Sequence, residues 1–342
     1  MGRINNSAIL GIAGIGLALA LRENARRRRE ITFPGKVVLI TGGSRGLGLE
    51  IARQLADKGA KLALAARDVD ELKRAQTELE RYGGEVFIVP CDITDRRETD
   101  EIVHSVQDRL GPIDILINNA GTIQVGPLEE MTLEDYEDAM KIHFWAPLHM
   151  IQAVLPSMRA RQHGRIVNVS SVGGKIAVPH LAPYSASKFA LVGLSEGMRA
   201  ELSAQHIYVT TACPGLMRTG SHLNANFKGQ HKKEYTWFSI ANGSPLLSAS
   251  AEEAASEIIR ACKYGDPEVM LPIATKAVTL FSAVFPGLMS DVLSLVNRVL
   301  PGPGGIGQGH AAGKDSQTPL APSMLTGLSE DAALRNNELP TV

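Results

Sequence analysis

Cysteine is scarce in this chain, and neither sign of charge dominates. The three cysteines among 342 residues, Cys91, Cys213 and Cys262, have neither CxxC nor Cys/His spacing. A disulfide framework or a zinc site therefore has no support, and we expect a reducing compartment and no bound metal. Lys plus Arg (35) and Asp plus Glu (36) nearly cancel. No overall field recruits nucleic acid, and we expect no such partner.

Long apolar runs are also few, and one of them lies near the N-terminus. Residues 8–21 are uninterruptedly apolar, and Arg22 and four consecutive arginines at 26–29 follow them. As a helix the run would span about 21 Å, short of a bilayer core of about 30 Å. The basic cluster follows the run, unlike that of a cleaved signal peptide. We expect residues 1–31 to anchor a cytoplasmic catalytic domain to a membrane; the alternative is a soluble amphipathic or disordered leader on a cytoplasmic protein.

Residues 32–272 alternate short β-branched runs with amphipathic stretches. Most of the runs are apolar on both faces, as a covered parallel sheet requires. The alternation predicts an α/β fold: a doubly wound, Rossmann-type, seven-stranded parallel sheet with helices on both faces and a ligand crevice at the carboxyl ends of its strands. The predicted strands are 37–40, 62–65, 86–89, 113–117, 166–169, 207–211 and 269–271.

Two further segments follow this domain. Residues 273–300 are apolar at helical spacing and are interrupted by Pro286-Gly287. This pattern predicts two short amphipathic helices that pack on the domain, cover a substrate entrance or rest on a membrane. Residues 301–342 open with a Pro/Gly-rich stretch and contain few aromatic residues, which predicts a flexible tail.

A glycine-rich turn follows the first predicted strand, and a helix begins near Leu47. Glycines let the backbone turn tightly and approach a pyrophosphate, whose charge is met by the N–H groups of the helix N-terminus. Any strand–helix turn can use glycines, but this position at the first junction predicts a dinucleotide site. The cofactor-binding residues expected here are Thr41, Gly42, Ser44, Arg45, Gly46, Leu47 and Gly48.

Tyr184 and Lys188 are four residues apart in a segment predicted to be helical. Positions i and i+4 share a helix face, so both side chains can point into one crevice. An adjacent cation stabilises a phenolate, so we expect Lys188 to lower the pKa of Tyr184 and make it a usable acid or base. Alone, a YxxxK pair is common, but Ser171 follows the fifth strand at the carboxyl end where ligands bind.

In this order the motifs resemble the short-chain dehydrogenase/reductase family in its compact single-domain form, over about residues 34–272. The motifs that carry the resemblance are the glycine turn, Asp92, Asn118-Asn119-Ala120-Gly121, Ser171, Tyr184 with Lys188, and Pro214-Gly215 with Thr219. The resemblance implies an oxidoreductase that interconverts a carbonyl and an alcohol by hydride transfer from or to NAD(P). The family's spacing between this serine and the tyrosine favours Ser171 over Ser170.

The resemblance also assigns roles around the cofactor. It implies that Asp92 contacts the adenine and that Asn119 supports the sheet beside the cofactor. Lys188 would also hold the nicotinamide ribose, and Thr219 would meet the carboxamide. The other cofactor contacts expected are Ile93, Ala120, Gly121, Tyr184, Pro214 and Gly215. The family often pairs the helices that bear His143 and Tyr184, which is compatible with a homodimer.

Charge after the second strand indicates which dinucleotide binds. An NAD enzyme of this kind usually presents an acid to the ribose 2′-hydroxyl, whereas a 2′-phosphate needs cations. Ala66 stands where that acid is expected, and Arg67 and Arg45 could clamp the phosphate. We interpret the adjacent Asp68 as a helix cap. The sequence therefore predicts NADP(H) rather than NAD(H).

His143 stands where relatives usually carry an asparagine that is thought to hold a water in the proton relay behind the lysine. A histidine can make such a hydrogen bond, but it also titrates near neutral pH. The alternatives are therefore a catalytic relay residue and a helix histidine that only packs.

The segment after Gly215 stands where the family has its mobile substrate lid, and it contains Phe227, Trp237 and Phe238. It predicts a small, lipophilic carbonyl or alcohol substrate, and the alternative is a solvated loop with ordinary aromatic anchors. Two other functions stay open. One is an epimerase or dehydratase on the same fold, and the other is a catalytically silent, membrane-tethered nucleotide-binding protein.

Overall fold

The computed structural model describes residues 6–244, 248–321 and 326–338. Within these ranges the strands are β1 (Val37–Thr41), β2 (Lys61–Ala66), β3 (Val86–Pro90), β4 (Ile115–Asn118), β5 (Gln124–Val125), β6 (Gly164–Val169), β7 (Ile207–Pro214), β8 (Leu216–Arg218), β9 (Asn226–Phe227), β10 (Ser248–Ser250), β11 (Glu268–Leu271) and β12 (Ala311–Ala312). The helices are α1 (Asn6–Arg28), α2 (Gly46–Asp57), α3 (Val69–Leu79), α4 (Arg96–Leu110), α5 (Leu133–Met140), α6 (Ala146–Arg161), α7 (Ala182–Leu202), α8 (His231–Gly243), α9 (Ala251–Tyr264), α10 (Ile273–Val284), α11 (Pro286–Asn297) and α12 (Gly327–Arg335).

A seven-stranded parallel sheet forms the centre of the fold, in the order β11-β7-β6-β4-β1-β2-β3. The seven predicted strands and the doubly wound, Rossmann-type architecture are confirmed. Because all seven strands run in one direction, their carboxyl ends meet at one edge. Register places Thr41 of β1 beside Asn118 of β4, and Asn118 beside Asn168 of β6. The motifs that follow these strands therefore share one crevice.

Both faces of the sheet are covered, because alternate residues of each strand point to opposite sides. Val38 and Ile40 pack in one cluster with residues of α2, α3 and α9. Val37 and Leu39 pack in the other with residues of α4 and α6. This two-sided burial explains why the strands are apolar throughout rather than alternating.

Helix starts and stops follow the sequence signals. The Asp68 side chain accepts the Glu71 N–H at 2.9 Å and caps α3, as predicted. Thr132 and Asp135 form a capping box at the start of α5. Between α5 and α6 the residues Lys141–Trp145 form a π-helical turn, so 133–161 is one nearly continuous helix with a widened turn around His143.

The segment after Gly215 forms a folded cap on the crevice. Strands β5, β9 and β12 make a small sheet, and β8 pairs with β10. Phe227 and Phe238 are buried in one cluster with Tyr235 and Leu223. The aromatic residues of the predicted lid therefore form a small core of their own.

The expectation of a flexible tail over 301–342 was wrong for the residues that the structure describes. Ala321, Ala332 and Ala333 are buried, and α12 packs on the cap. Arg53 of α2 donates to the carbonyl of Arg335 at 2.6 Å. Composition gave no sign of this order, because the catalytic domain supplies most of the partners of the segment.

Apolar side chains are exposed on α1 and on the hairpin formed by α10 and α11. They include Leu17, Leu19, Leu21, Val278, Leu280, Val284, Leu288, Leu295 and Val296. Within the described residues, no single helix is long and apolar enough to cross a bilayer. Helices α10 and α11 together reach that length and hydropathy, but they meet at a bend of 119°.

Candidate active site

The glycine turn has the geometry of a phosphate cradle. Gly42 has a φ of 64°, which favours glycine, and its backbone lies against Ala120. A side chain at Gly48 would collide with the Gly42 carbonyl. Helix α2 begins at Gly46, so its first N–H groups point into the crevice. These residues fit a dinucleotide pyrophosphate.

Asn119 joins this turn to the end of β4. Its Nδ2 atom donates to the carbonyls of Thr41 at 3.2 Å and Gly42 at 3.0 Å. The Thr41 hydroxyl in turn accepts the N–H groups of Asn119 and Ala120. The cradle is thus held by two adjacent strands, as the resemblance implies for Asn119.

Tyr184, Ser171 and Lys188 come together at the carboxyl end of β6. Ser171 lies beside the Tyr184 side chain, and its Oγ accepts the Gly173 N–H at 3.0 Å. Lys188 Nζ lies 5.7 Å from the centre of the Tyr184 ring and donates to the Val169 carbonyl at 2.9 Å. A polarising hydroxyl, a proton donor and a cation therefore border one point of the crevice.

The electrostatics of this group differ from the expectation. Burial raises the pKa of Tyr184 above its usual value, and the neighbouring Ser171 hydroxyl opposes this rise only in part. The expected lowering by Lys188 was therefore wrong for this structure, because burial penalises the phenolate more strongly. Burial also lowers the pKa of Lys188 to about 8. The phenol keeps its proton at neutral pH, and the ammonium loses its proton only above about pH 8.

The structure distinguishes the two neighbouring serines. The Ser170 hydroxyl is buried and donates to the Lys188 carbonyl at 3.0 Å. Ser171 is partly exposed and contacts the phenol. Ser170 thus fixes α7, while Ser171 faces Tyr184.

His143 is almost completely buried beside the same group. Its ring meets that of Tyr184 edge-on, with 5.3 Å between centroids. Its Nδ1 contacts Ser187 Oγ at 2.8 Å, and its Nε2 accepts the Thr122 N–H at 3.2 Å. Burial, aided by the positive charge of Lys188, holds the pKa of His143 well below its usual value. The imidazole is therefore neutral at physiological pH.

Most of the remaining predicted cofactor residues lie at or just after the carboxyl ends of the strands. Asp92 and Ile93 follow β3, where Asp92 accepts both the N–H and the hydroxyl of Thr94. Pro214 ends β7, and the Gly215 N–H donates to the Leu271 carbonyl at 2.7 Å. Thr219 is buried next to the cap. Leu47 and Gly121 complete the set, and Gly121 lies against the His143 ring.

Two acidic residues that the sequence analysis missed lie beside Arg45. Glu71 of α3 accepts from Arg45 at 2.8 Å and from the Ser44 hydroxyl at 2.9 Å. Glu338, beyond α12, lies 3.4 Å from Arg45 Nε. Arg67 is exposed just after β2. Glu71 lies in the first helical turn after Asp68, where the sequence shows only a capping signal. Nothing in the sequence connects Glu338 with the crevice.

Comparisons with known proteins agree with this geometry. The sequence pattern of the family described as short chain dehydrogenase matches residues 36–228. The "Dehydrogenase/reductase SDR family protein 7-like" of Anopheles gambiae is 37% identical over 275 residues, 78% of this chain and 85% of its own. The "3-ketodihydrosphingosine reductase" of Mus musculus is 33% identical over 212 residues, 60% of this chain and 64% of its own.

Solved structures show the same fold. The L-sorbose reductase from Gluconobacter frateurii, crystallised with NADPH and L-sorbose, is 28% identical and superposes with a TM-score of 0.64. The match covers 71% of this chain and 97% of that one. This chain is an oxidoreductase of hydroxyl and carbonyl groups and belongs to the short-chain dehydrogenase/reductase family.

Proposed function

We propose that this protein reduces a lipophilic carbonyl compound to an alcohol with NADP(H). The observation that carries the proposal is that Ser171 and Tyr184 lie side by side next to the buried Lys188, whose Nζ is 5.7 Å from the centre of the Tyr184 ring. A catalytically silent nucleotide-binding protein has no need of this constellation. Epimerisation or dehydration on the same scaffold is the second candidate.

In the proposed reaction, bound NADP(H) supplies the hydride that reaches the carbonyl carbon. Ser171 polarises the carbonyl oxygen with a hydrogen bond that strengthens as negative charge develops. The Tyr184 hydroxyl transfers its proton to that oxygen, which completes the alcohol. Lys188 stabilises the phenolate that remains until solvent returns the proton.

The raised pKa of Tyr184 favours reduction. A proton donor must hold its proton at the working pH, and burial keeps the phenol protonated there. The opposite reaction would need a phenolate, which the same burial disfavours. Ser171 limits the rise in the pKa of Tyr184, so the phenol can still donate its proton.

A lipophilic substrate is supported by the cap. Tyr184 and Trp237 pack against the apolar cluster of the cap, which contains Leu181, Phe227 and Phe238. Phe227 and Phe238 are themselves buried, so a substrate that reaches Tyr184 meets the partly exposed apolar surface of Ile123, Val178 and Trp237, whose burial favours apolar groups. The similarity to a 3-ketodihydrosphingosine reductase, whose name describes a long-chain ketone, is in keeping with this.

NADP(H) is our proposed cofactor, although Glu71 complicates the choice. Arg45 and Arg67 can together meet a 2′-phosphate, but Arg45 is paired with Glu71 in this structure. A 2′-phosphate would have to take over this guanidinium. Glu71 could instead accept a hydrogen bond from the 2′-hydroxyl of NAD(H). Measuring the dissociation constants of NADPH and NADH side by side decides between these two arrangements.

We also propose that the enzyme associates with a membrane through α1, with the α10–α11 hairpin as a second contact. Both elements expose leucine or valine side chains that would be better buried. Arg26 connects α1 to the domain through a bidentate contact with Asp266 at 2.7 and 2.9 Å. The catalytic domain would lie on the cytoplasmic side, with a fully cytoplasmic protein as the alternative.

A homodimer is our proposal for the assembly. Trp145, between α5 and α6, and Phe189 on α7 are both exposed. These helices are the ones that the family often pairs. Sedimentation of wild-type protein and of a Trp145→Glu, Phe189→Glu variant tests this: a dimer should become a monomer.

The experiment that tests the function is incubation of purified protein with NADPH and a panel of sterol ketones, retinal, long-chain ketones, quinones and sugars. Consumption of NADPH with a long-chain or polycyclic ketone, and little with sugars, is the expected result. Product formation without net NADPH consumption would favour epimerisation or dehydration. Nucleotide binding without conversion of any compound would favour the silent alternative.

A further inference from the structure

A segment at residues 326–338 extends across the crevice that we assign to the cofactor. We call this segment the strap. Helix α12 forms most of the strap, and Asn336, Asn337 and Glu338 follow it. Ala333 of α12 packs directly on Gly220, where any side chain would collide with it. The strap therefore rests on the backbone next to Thr219, on the side of the crevice assigned to the carboxamide.

The end of the strap reaches the opposite side, the glycine turn. The Gly46 N–H donates to the Asn336 carbonyl at 2.9 Å. Asn337 Nδ2 donates to the Ser44 carbonyl at 2.8 Å. Glu338 Oε1 lies 2.7 Å from the position that a Cβ of Gly46 would occupy. The open space and the N–H group that a helix N-terminus offers to a pyrophosphate are thus used by the chain itself.

Glu338 places a carboxyl group in an anion site. Its carboxylate is buried, accepts from Asn224 Nδ2 at 2.6 Å and pairs with Arg45 Nε at 3.4 Å. Arg45 is also the cation that we assign to the 2′-phosphate. The carboxyl group of Glu338 fills this space whether or not it is protonated, so it and a phosphate cannot both occupy it, and the ionised form would also repel the phosphate.

We propose that the strap is autoinhibitory: Glu338 and Asn336 occupy the phosphate-binding end of the crevice, and NADP(H) binds only when it displaces them. This proposal rests on the cofactor function proposed above. The apparent affinity for the dinucleotide is then the intrinsic affinity multiplied by the fraction of molecules in which the strap is open.

Closure should depend on pH. Burial raises the pKa of Glu338 from its usual 4.5 to about 7. The charged or polar groups that face it are Arg45 and Asn224, which oppose the rise, and Glu71, which adds to it. The closed strap therefore holds a proton that the open strap releases. Closure is most stable at low pH and weakens as the pH rises from about 4.5 to about 7.

The test compares NADPH affinity, measured by nicotinamide fluorescence, in full-length wild type and three variants. Glu338→Ala removes the competing carboxylate. Asn337→Gly removes the contact with Ser44 but keeps the positive φ of 58° accessible. Asp331→Ala, on the exposed face of α12, is the matched control.

We expect Glu338→Ala and Asn337→Gly to tighten NADPH binding at least about fivefold at pH 6, with Asp331→Ala unchanged. The ratio of wild-type to Glu338→Ala dissociation constants should shrink between pH 6 and pH 8. In hydrogen exchange, NADPH should accelerate residues 326–338 and protect residues 42–48.

Weaker binding in Glu338→Ala and Asn337→Gly, or protection of both segments by NADPH, would overturn the proposal and make the strap a clasp on bound cofactor. Equal affinities in all four proteins would also overturn it, while leaving the cofactor function intact. If none of the four proteins bound NADPH or NADH, the proposed function would be wrong, and the proposal of an autoinhibitory strap would be wrong with it.

Discussion

The Nδ1 atom of His143 lies 2.8 Å from the hydroxyl oxygen of Ser187, and this contact determines the state of the imidazole. The Ser187 hydroxyl donates to the Tyr184 carbonyl at 2.8 Å, so it accepts the proton of Nδ1. Nε2 is then the acceptor for the Thr122 N–H. With both nitrogens engaged, His143 joins the π-helical turn to α7, and we propose that it is a positioning residue and not a member of the proton relay.

His143→Asn should leave the shape of the pH–rate profile unchanged between pH 6 and pH 8. The pKa of His143 is held well below its usual value by burial and by Lys188, so the imidazole does not titrate in that range. Steady-state rates at saturating substrate measure this. An acid limb near neutral pH that disappears in the variant would restore His143 to the proton relay.

The same buried imidazole should make stability depend on pH. The unfolded chain binds the proton near pH 6.5, whereas the folded chain excludes it to lower pH, so stability is lost as pH falls below about 6.5. The slope reaches at most about 1.4 kcal/mol per pH unit for one group. Urea unfolding at pH 5 and pH 7 should show a smaller difference in His143→Asn than in wild type.

Tyr184→Phe should abolish turnover and leave NADPH affinity within about fourfold, because it removes the proton donor and little binding surface. Ser171→Ala should lower kcat by roughly two orders of magnitude through loss of carbonyl polarisation. Tyr82→Phe, at an exposed position, serves as the control. Substantial turnover by Tyr184→Phe would remove Tyr184 from the mechanism.

The rate of reduction should fall above about pH 8, where Lys188 loses its charge. The pKa of this ammonium is lowered by burial, so the cation that stabilises the developing phenolate is present below that pH and absent above it. In Lys188→Arg any residual activity should lack this limb, because guanidinium stays charged. Profiles of kcat against pH compare the two. A basic limb retained by the arginine variant would assign it to another group.

Arg45→Ala and Arg67→Ala should weaken NADPH binding and leave NADH binding nearly unchanged. Each charge-assisted contact with a phosphate contributes roughly 1.5–3 kcal/mol, or about tenfold or more in the dissociation constant. Glu71→Gln should tighten NADPH, because it frees Arg45 from its ion pair. Loss of NADH binding in Glu71→Gln would instead identify Glu71 as a ligand of the 2′-hydroxyl.

Full-length protein should sediment with membranes, and a chain shortened to begin at Arg22 should not. Beginning at Arg22 keeps the contact between Arg26 and Asp266 and removes the apolar run. Activity on a dissolved substrate should be retained. If the shortened chain still sediments, Leu280→Ser with Leu295→Ser should release it, since both side chains are exposed on the hairpin. Full-length protein in the soluble fraction at low salt would contradict the anchor.

Sequence alone was sufficient for the architecture of the sheet and for predicting that Ser171, Tyr184 and Lys188 lie together. Apolar runs such as 37–40 predict covered parallel strands, and a parallel sheet gathers whatever follows its strands at one edge. The i, i+4 spacing of Tyr184 and Lys188 places both on one helix face. Signals of this kind are local, because a strand, a cap or a helical face is specified by neighbours in the chain.

Only the tertiary structure decided which charges and protons these residues carry. The pKa of Tyr184 is raised because burial outweighs its polar neighbours, and no spacing in the sequence reports the degree of burial. Glu338 lies 293 positions after Arg45 in the chain, yet the two are paired. Composition predicted a flexible tail over residues 301–342, but segment 326–338 within it is ordered by contacts that the catalytic domain supplies. Desolvation and long-range pairing depend on the surroundings that the whole fold creates, so a linear pattern cannot reveal them.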